Sequence, residues 1–214
     1  MRTVMISPRR PIWPLLALPL CWLMLLGGCA TTQPRNHADI CEIFAENRSW
    51  YRAAIRAEKR WKVPPPVTMA FIYQESAFQA RARPERTRLL GIIPWKRPSS
   101  ARGYAQALDG TWNEYRQATG NWRARRGNFA HATDFIGWYN HHSHRRNRIP
   151  PTDARNLYLA YHEGHGGYAR GTYQHKPRLL NTANRVQQNA NRYQRQYDQC
   201  EKELSRGWLR RLLF

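Results

Sequence analysis

The sequence predicts a mostly α-helical domain, and three observations support this prediction. Apolar residues recur at helical spacing in several segments between Ile40 and Arg206. Prolines, glycines and capping residues fall where these segments should begin and end. No β-rich block, internal repeat or long low-complexity segment interrupts the pattern. The class predicted from these residues is therefore mostly α.

Residues 1–28 are predicted to be a lipoprotein signal peptide that is not part of the fold. Three arginines precede an apolar run over residues 11–26, which is too short and too broken by proline for a membrane span. The sequence "LLGGC" that follows resembles the bacterial lipoprotein processing site, which implies cleavage before Cys29 and lipidation of Cys29. An ordinary signal peptide cut nearby is the alternative. In both cases the mature chain leaves the cytoplasm.

The mature chain is strongly basic, since the net charge of +21 falls only to +18 over 186 residues when residues 1–28 are removed. Such a charge favours anionic partners, namely nucleic acid, anionic lipid or an acidic polymer. Export argues against nucleic acid, and the basic residues are spread along the chain instead of forming one recognition helix. We therefore expect general adhesion to an anionic envelope. The sequence indicates no oligomeric state.

Two cysteines remain near the ends of the mature fold after Cys21 leaves with the signal and Cys29 takes the lipid. A disulfide between Cys41 and Cys200 is expected in an oxidising compartment, and two free buried cysteines are the alternative. The bond would close a loop of roughly 160 residues and stabilise the fold by about 4–5 kcal/mol through chain entropy.

Each predicted element follows from a local signal. Residues 29–39 form a short polar tether, residues 40–206 the domain and residues 207–214 a basic amphipathic tail that either lies on an anionic membrane surface or packs on the domain.

The prolines of "VPPPV" should end one helix and sit in the first turn of the next. The predicted helices are Ile40 to about Lys62, Val67–Phe78, Thr111 (with Glu114 completing a capping box) to before Gly120, Asn128 to about His144, Thr152 or Asp153 through His162, and Arg178 to about Arg206. The arginine- and proline-rich segment after Phe78 is expected to be an irregular loop or a small hairpin.

One glutamate, Glu75, lies on the apolar side of the helix Val67–Phe78. Its helical neighbours include Phe71, Ile72 and Phe78, among which a solvated charge is not normally placed. Burial disfavours the charged form and raises the pKa of such a carboxyl, which then suits a general acid. The alternative is a glutamate at a helix end that merely pairs with Arg81 or Arg83.

Three short motifs place Glu75 in a wider pattern. "ESAF" (Glu75–Phe78), "GYAQ" (Gly103–Gln106) and "AYHEG" (Ala160–Gly164) occur in this order. They resemble the motifs of Slt-type lytic transglycosylases, which carry a Glu-Ser pair, a Gly-Leu-Met-Gln-like segment and Ala-Tyr-Asn-Ala-Gly. The likeness spans about Val67 to Gly167. It implies a lysozyme-like, goose-type single domain that needs no cofactor or metal.

The resemblance also implies the reaction, which is non-hydrolytic cleavage of the β-1,4 bond between MurNAc and GlcNAc in peptidoglycan glycan strands. One glutamate first protonates the leaving oxygen and then takes the proton from the C6 hydroxyl, which closes a 1,6-anhydro ring. The second carboxylate that most glycosidases use is then unnecessary, and Glu75 has no obvious acidic partner nearby in the sequence.

Roles carried over from the resemblance fall on six residues. Glu75 is the acid and base, Ser76 orients it or lines the cleft, and Tyr104 lines the site. Gln106 contacts an N-acetyl group and Tyr161 hydrogen-bonds near Glu75. His162 is the remaining substrate-binding candidate; with Glu163 it replaces the family's Asn-Ala. Ser76 and Tyr161 could instead have purely structural roles.

An inserted segment, "RTRLLGIIPWKRPSS", lengthens the spacing from Glu75 to Gly103. We expect it to help form the glycan groove, with Trp95 as a candidate for stacking on a sugar. Tyr104 and Ala105 also depart from the family's Leu-Met.

Three other functions remain open at this stage: a hydrolysing muramidase of the same fold, an inactive peptidoglycan-binding lipoprotein and a metal-dependent cell-wall amidase or peptidase. The last would use the histidines of "HHSH" and "HEGH", although the i, i+3 spacing of "HEGH" is not the zinc protease pattern. Ala30 and Thr31 follow Cys29 without an Asp retention signal, so the expected location is the periplasmic face of the outer membrane, with a lipid anchor in the membrane.

Overall fold

The computed structural model describes residues 33–89, 93–94 and 96–209, and this part of the chain contains seven α-helices and one pair of short strands. The elements are α1 (Ile40–Glu46), α2 (Arg48–Trp61), α3 (Pro65–Ser76), β1 (Arg88–Leu89), β2 (Ile93–Pro94), α4 (Asp109–Thr119), α5 (Phe129–Asn147), α6 (Ala154–Ala169) and α7 (Pro177–Leu209). The mostly α prediction is confirmed.

Several predicted helix boundaries were wrong, including those of the helix expected over Val67–Phe78, which runs from Pro65 to Ser76 and ends where Ala77 turns left-handed. The first predicted helix is divided at Asn47, whose backbone leaves the helical region before α2 begins. The helix expected to begin at Thr111 begins at Asp109, and no side chain caps it, so the Thr111–Glu114 capping box does not form. The helix expected to end at His162 continues to Ala169, because Gly164 with its φ of +74° joins two helical pieces across a kink.

Other local signals predicted the structure well. Pro65 and Pro66 occupy the first turn of α3, where a missing N–H costs nothing. Asn128 caps α5 by accepting a hydrogen bond from the His131 N–H, and Asp153 caps α6 in the same way from Asn156. The segment after α3 contains a small antiparallel hairpin, in which Leu89 pairs with Ile93.

Helix α3 is the central helix of the core and is buried along almost its whole length, from Pro65 to Ile72. It packs against α5, α6 and α7. A helix surrounded in this way has no polar face, so an ionisable residue near its end must be accommodated within the protein. Glu75 is the residue in this position.

A carboxylate joins α2, α4 and α5 beside the core. Asp134 accepts hydrogen bonds from the Trp61 indole N–H at 2.8 Å and from the Tyr115 hydroxyl at 2.7 Å. Gly137, one turn further along α5, lets the Trp61 ring approach so closely that a Cβ there would lie 2.7 Å from it. These contacts hold α2, α4 and α5 together beside the core.

The two ends of the domain are joined covalently and by hydrogen bonds. Cys41 of α1 and Cys200 of α7 form a disulfide, with their Cα atoms 6.0 Å apart. The Tyr193 hydroxyl donates to the His37 carbonyl. Helix α7 continues to Leu209, so it extends past residue 206, where the domain was predicted to end. Within the described residues no helix is both long and apolar enough to cross a membrane.

Candidate functional site

Glu75 lies in the last turn of α3, where its carboxyl group is surrounded by protein while the residue keeps some contact with solvent. Burial raises the pKa of this carboxyl to about 7, and a hydrogen bond with Tyr158 acts in the opposite direction. No ion pair to Glu75 is found among the described residues, so the pairing with Arg81 or Arg83 that the sequence left open does not form there. The carboxyl can therefore hold or release a proton near neutral pH.

Tyr158 of α6 is the residue that reaches Glu75, and sequence reasoning missed it. Its hydroxyl lies within hydrogen-bonding reach of the carboxyl, and burial together with the nearby Glu75 charge raises the pKa of Tyr158. The phenol therefore stays protonated and can donate a hydrogen bond to the Glu75 carboxylate. The signal that could have identified it is spacing, since Tyr158 precedes Tyr161 by three residues and so shares its helix face.

Among the described residues, the Ser76 hydroxyl makes its hydrogen bond within α3 and not to the Glu75 carboxyl. Ser76 is buried, and its hydroxyl donates to the carbonyl of Ile72, one turn back in α3, at 3.1 Å. This is the common bond of a serine to its own helix. The structure therefore places Ser76 as a helix-end hydroxyl, and any effect on Glu75 acts through the backbone.

The chain turns sharply directly after Ser76. Ala77 and Phe78 both have positive φ, at 47° and 62°, a region that costs non-glycine residues free energy. Phe78 is nonetheless fully buried and stacks on Trp50 with ring centroids 5.8 Å apart. Packing of Phe78 thus holds a strained turn in place immediately after Glu75.

The second motif forms a tight turn, Gly103–Gln106, that is fixed on both sides. The Gly103 N–H donates to the Ala82 carbonyl at 2.9 Å, and the Tyr104 N–H donates to the Arg126 carbonyl at 3.2 Å. Gly103 has a φ of +76°, and a Cβ on it would lie 2.3 Å from the Arg126 carbonyl oxygen. Both its conformation and the space around it therefore require glycine.

Tyr104 was predicted to line the site, but the structure places its side chain in the core. The residue is only 1% exposed and packs edge-on against Trp50 and Phe129, with centroids 5.6 and 5.3 Å away. An aromatic ring next to a turn can be directed inward to fill the core, and the turn geometry directs this one there. Tyr104 supports the cleft from behind without forming its surface.

Gln106, Tyr161 and His162 do come together, and they line a cavity of about 310 Å3 with Leu108 and Tyr139. The Gln106 side-chain amide donates to the carbonyls of Ala82 and Gly103, which ties the second motif to the segment after α3. Gln106 itself has a φ of 46°, a further left-handed residue at this site. The amide therefore shapes the turn as well as facing the cavity.

Tyr161 joins the second and third motifs. Its hydroxyl donates to the Ala105 carbonyl at 2.5 Å. Burial, and after it the charge of the nearby Glu75, raises the pKa of Tyr161. Tyr161 was expected to hydrogen-bond near Glu75. In the structure its hydroxyl bonds to the Gly103–Gln106 turn, and Tyr158 is the tyrosine that reaches the carboxyl.

The residues that replace the family's Asn-Ala form an anchored pair at the cavity edge. His162 is exposed, and its Nδ1 lies 3.2 Å from Glu163. Both Glu163 oxygens lie 2.8 Å from the Lys176 ammonium, and the Thr172 hydroxyl also donates to Glu163. Lys176, followed by Thr172, lowers the pKa of Glu163 to about 2. Glu163 is thus an ionised residue whose hydrogen bonds hold the segment after the α6 kink.

Three other histidines of the two motifs each have a separate hydrogen-bond partner in the structure. His141 and His144 contact the carbonyls of Trp61 and Ile149 at 3.1 and 2.8 Å, and His165 contacts the Ser143 hydroxyl at 3.1 Å. Within the described residues, no group of three or more His, Cys, Asp or Glu side chains is placed to hold a metal ion.

Two of the predicted residues lie outside the described part of the chain. These are Cys29, the predicted lipidation site, and Trp95, the candidate for sugar stacking.

A family model described as "Transglycosylase SLT domain" matches residues 17–200. No curated protein and no solved structure matches the chain. The matched range contains all three motifs, and the helical architecture is consistent with the all-α, lysozyme-like domain of that family.

Proposed function

The chain belongs to the transglycosylase SLT-domain family, and from this premise we propose that it cleaves peptidoglycan as a lytic transglycosylase with Glu75 as its only acid and base. The substrate is the β-1,4 bond between MurNAc and GlcNAc, and the products carry 1,6-anhydroMurNAc ends. The observation that carries the proposal is the buried Glu75 carboxyl, whose pKa of about 7 allows both protonation states near neutral pH.

The first step is donation of the Glu75 proton to the glycosidic oxygen as the bond from that oxygen to C1 breaks. The carboxylate left behind is stabilised by the Tyr158 hydroxyl, since the hydrogen bond between them favours the charged form. Before the reaction, burial favours the neutral Glu75 carboxyl. After proton donation, the Tyr158 hydroxyl stabilises the carboxylate. Tyr158 thus acts on the reaction through Glu75.

The second step returns the proton. The Glu75 carboxylate takes the proton from the C6 hydroxyl of the same sugar, and that oxygen forms the new bond to C1. Each bond that breaks is matched by one that forms, and water does not take part. The step needs no second carboxylate, in keeping with Glu163, whose oxygens are hydrogen-bonded to Lys176 and Thr172.

Substrate positioning is assigned to the cavity that Gln106, Tyr161 and His162 line. Gln106 contacts an N-acetyl group there, and Tyr161 holds the turn that presents Gln106. His162 takes the place of the family's asparagine at the same edge.

We also propose that the protein is a lipoprotein at the periplasmic face of the outer membrane, with residues 1–28 as signal, Cys29 as anchor and residues 29–39 as tether. The support is the sequence "LLGGC" and the disulfide between Cys41 and Cys200, a bond typical of oxidising compartments. Labelling cells with a radioactive fatty acid should mark the wild type, while Cys29→Ser should remain unlabelled. Label on the Cys29→Ser protein would contradict the anchor.

The reaction is tested by digesting purified peptidoglycan with the wild type, Glu75→Gln and Glu203→Gln, and weighing the products. Glu203 is an exposed glutamate of α7 and provides a control with the same chemical change. The wild type and Glu203→Gln should release anhydro-ended products, and Glu75→Gln should release none. Reducing ends would show a muramidase instead. No products from any variant, with binding to peptidoglycan retained, would show a binding protein.

A further inference from the structure

A second cavity borders the Gly103–Gln106 turn, and its lining is dominated by arginine. It has a volume of about 820 Å3, within the range of ligand pockets. Among the described residues it is lined by six arginines and a single carboxylate, Asp109. The six, which together define the arginine cavity, are Arg81, Arg83, Arg102, Arg116, Arg125 and Arg126.

Arg126 is the buried centre of this cavity. It is only 6% exposed, and its guanidinium donates to Asp109 at 2.6 Å and to the Ser100 carbonyl at 3.2 Å. Its Nε is buried and finds no hydrogen-bond partner among the described residues, and the same is true of the Nε of Arg116. Buried donors of this kind are normally satisfied, so these two mark arginines of the cavity lining for which the described part of the protein supplies too few acceptors.

The charges of the arginine cavity are not balanced by the protein. Asp109 serves both Arg126 and Arg102, whose guanidinium lies 3.7 Å from the same carboxylate oxygen. A guanidinium cannot lose its proton to relieve the repulsion, unlike a buried carboxyl or amine. Repulsion between Arg126 and its neighbours therefore favours the binding of an anion from outside. Planar carboxylates match the guanidinium fork particularly well.

The position of the arginine cavity relates this anion to the substrate. Its lining begins at Ala80, which follows Glu75 by five residues, and includes Gly103. Gly103 belongs to the same turn as Gln106, which lines the proposed sugar cavity. A ligand in the arginine cavity therefore lies beside the glycan strand. N-acetylated sugars with amidated lactyl groups carry no charge, so the carboxylates of peptidoglycan are those of its peptide stems.

We infer that the arginine cavity binds the carboxylates of the peptide stems attached to the glycan strand that the protein acts on. The inference rests on the proposed function, because that function supplies the polymer. It adds a second element of recognition, in which the sugar cavity holds the strand and the arginine cavity selects strands that still carry stems.

Binding by a variant that cannot cleave tests this inference directly. The background is Glu75→Gln in the full mature chain, and the ligands are glycan strands with stems and strands freed of stems by an amidase. Arg81→Gln with Arg83→Gln changes two exposed arginines of the cavity, while Arg52→Gln with Arg56→Gln changes two exposed arginines of α2 and serves as the control of equal charge.

The cavity variant should bind stem-bearing strands at least about tenfold more weakly, and its affinity for stem-free strands should change less than threefold. The control should differ from the parent by less than threefold on both ligands. An equal loss on both ligands, or no loss, would overturn the inference. So would polyphosphate that displaced stem-bearing strands and bound through the same two arginines, because the cavity would then be a general polyanion site.

Failure of the inference and failure of the proposed function are distinguishable. The binding test involves no cleavage, so a negative result would leave the anhydro products of the wild type unaffected. Conversely, reducing ends or no products from the wild type would contradict the proposed reaction while leaving stem-dependent binding measurable.

Discussion

The site around Glu75 and the arginine cavity border the same turn, Gly103–Gln106. Each contains a buried ionisable group, and the two groups differ in whether burial can make them neutral. Glu75 is an acid with no cationic partner among the described residues, enclosed by the core and near Tyr158 and Tyr161. Arg126 is a cation with a shared partner and several like charges around it.

The difference lies in what each group can do with its proton. A carboxyl that is expensive to ionise keeps its proton, and this shift in pKa is the property that acid catalysis needs. A guanidinium keeps its charge at any accessible pH. The positive charge of a cluster of arginines therefore favours the binding of an anion. Burial thus raises the pKa of Glu75, as the proposed proton donor requires, and at Arg126 it leaves a charge that the inferred stem carboxylate would balance.

Gly103→Ala is expected to have the largest effect, because it disturbs the Glu75 site and the arginine cavity together. The new Cβ would lie 2.3 Å from the Arg126 carbonyl oxygen at a φ of +76°, so the turn that both cavities share must shift. We expect a loss of about 3 kcal/mol or more in the free energy of unfolding, from left-handed strain and overpacking together, and loss of activity. Urea denaturation and product release measure the two effects.

Gly120→Ala is the matched control for this change. Gly120 also has a positive φ, of 68°, but a Cβ added there would have nothing within 4 Å of it. The variant should therefore show only the conformational cost of about 1 kcal/mol. Equal losses for the two variants would mean that the close approach to Arg126 does not hold the turn.

The next largest effect is on the free energy of unfolding. It depends on pH through Glu75 and not through the arginines of the cavity. The folded state raises the Glu75 pKa from 4.5 to about 7. Well below pH 4.5 both the folded and the unfolded chain are protonated at Glu75, so ionisation adds nothing to the cost of its burial there. As the pH rises to about 7 the unfolded chain gains the free energy of ionisation, and above 7 the wild type has lost about 3 kcal/mol.

Glu75→Gln lacks this pH-dependent cost. Its unfolding free energy should equal that of the wild type near pH 4, apart from a constant offset, and exceed it by about 3 kcal/mol more at pH 8. Denaturant titrations at several pH values measure the difference, with Glu203→Gln as the exposed control. A difference that stayed constant with pH would show that Glu75 is not destabilised by burial.

Much of the fold could be predicted from the sequence because its signals are local. Pro65 and Pro66 start α3, and Asn128 and Asp153 cap their helices through contacts within three residues. The boundaries that were missed depend on tertiary contacts. Asp109 is held by Arg126, which is distant in sequence, and α4 begins there instead of at the Thr111 capping box.

The site was predictable to a similar extent and for a similar reason. The apolar pattern around Glu75 indicated a buried acid, and the structure shows one. The direction of the Tyr104 ring and the partner of the Tyr161 hydroxyl depend on how the Gly103–Gln106 turn meets α5 and α6, which no local pattern specifies. The arginine cavity was missed because its members come from four separate segments of the chain.

Tyr158→Phe is the smallest of these changes and tests which tyrosine serves the acid. Loss of its hydroxyl removes the hydrogen bond that lowers the Glu75 pKa, so this pKa should rise further. The loss of activity at high pH should then begin at a higher pH than in the wild type. Turnover should also fall about tenfold, because the carboxylate formed after proton donation loses a hydrogen bond to a charged group.

Tyr161→Phe gives the contrast that makes this result specific, and the measurement is the pH dependence of kcat and KM on purified glycan strands. Its hydroxyl donates to the Ala105 carbonyl, so its loss should loosen the Gly103–Gln106 turn and raise KM without moving the basic limb of the profile. If Tyr161→Phe moved the limb and Tyr158→Phe did not, the two tyrosines would exchange roles. The pKa of Glu75 would then depend on the Gly103–Gln106 turn, and the Glu75 site would not be independent of that turn and of the arginine cavity on it.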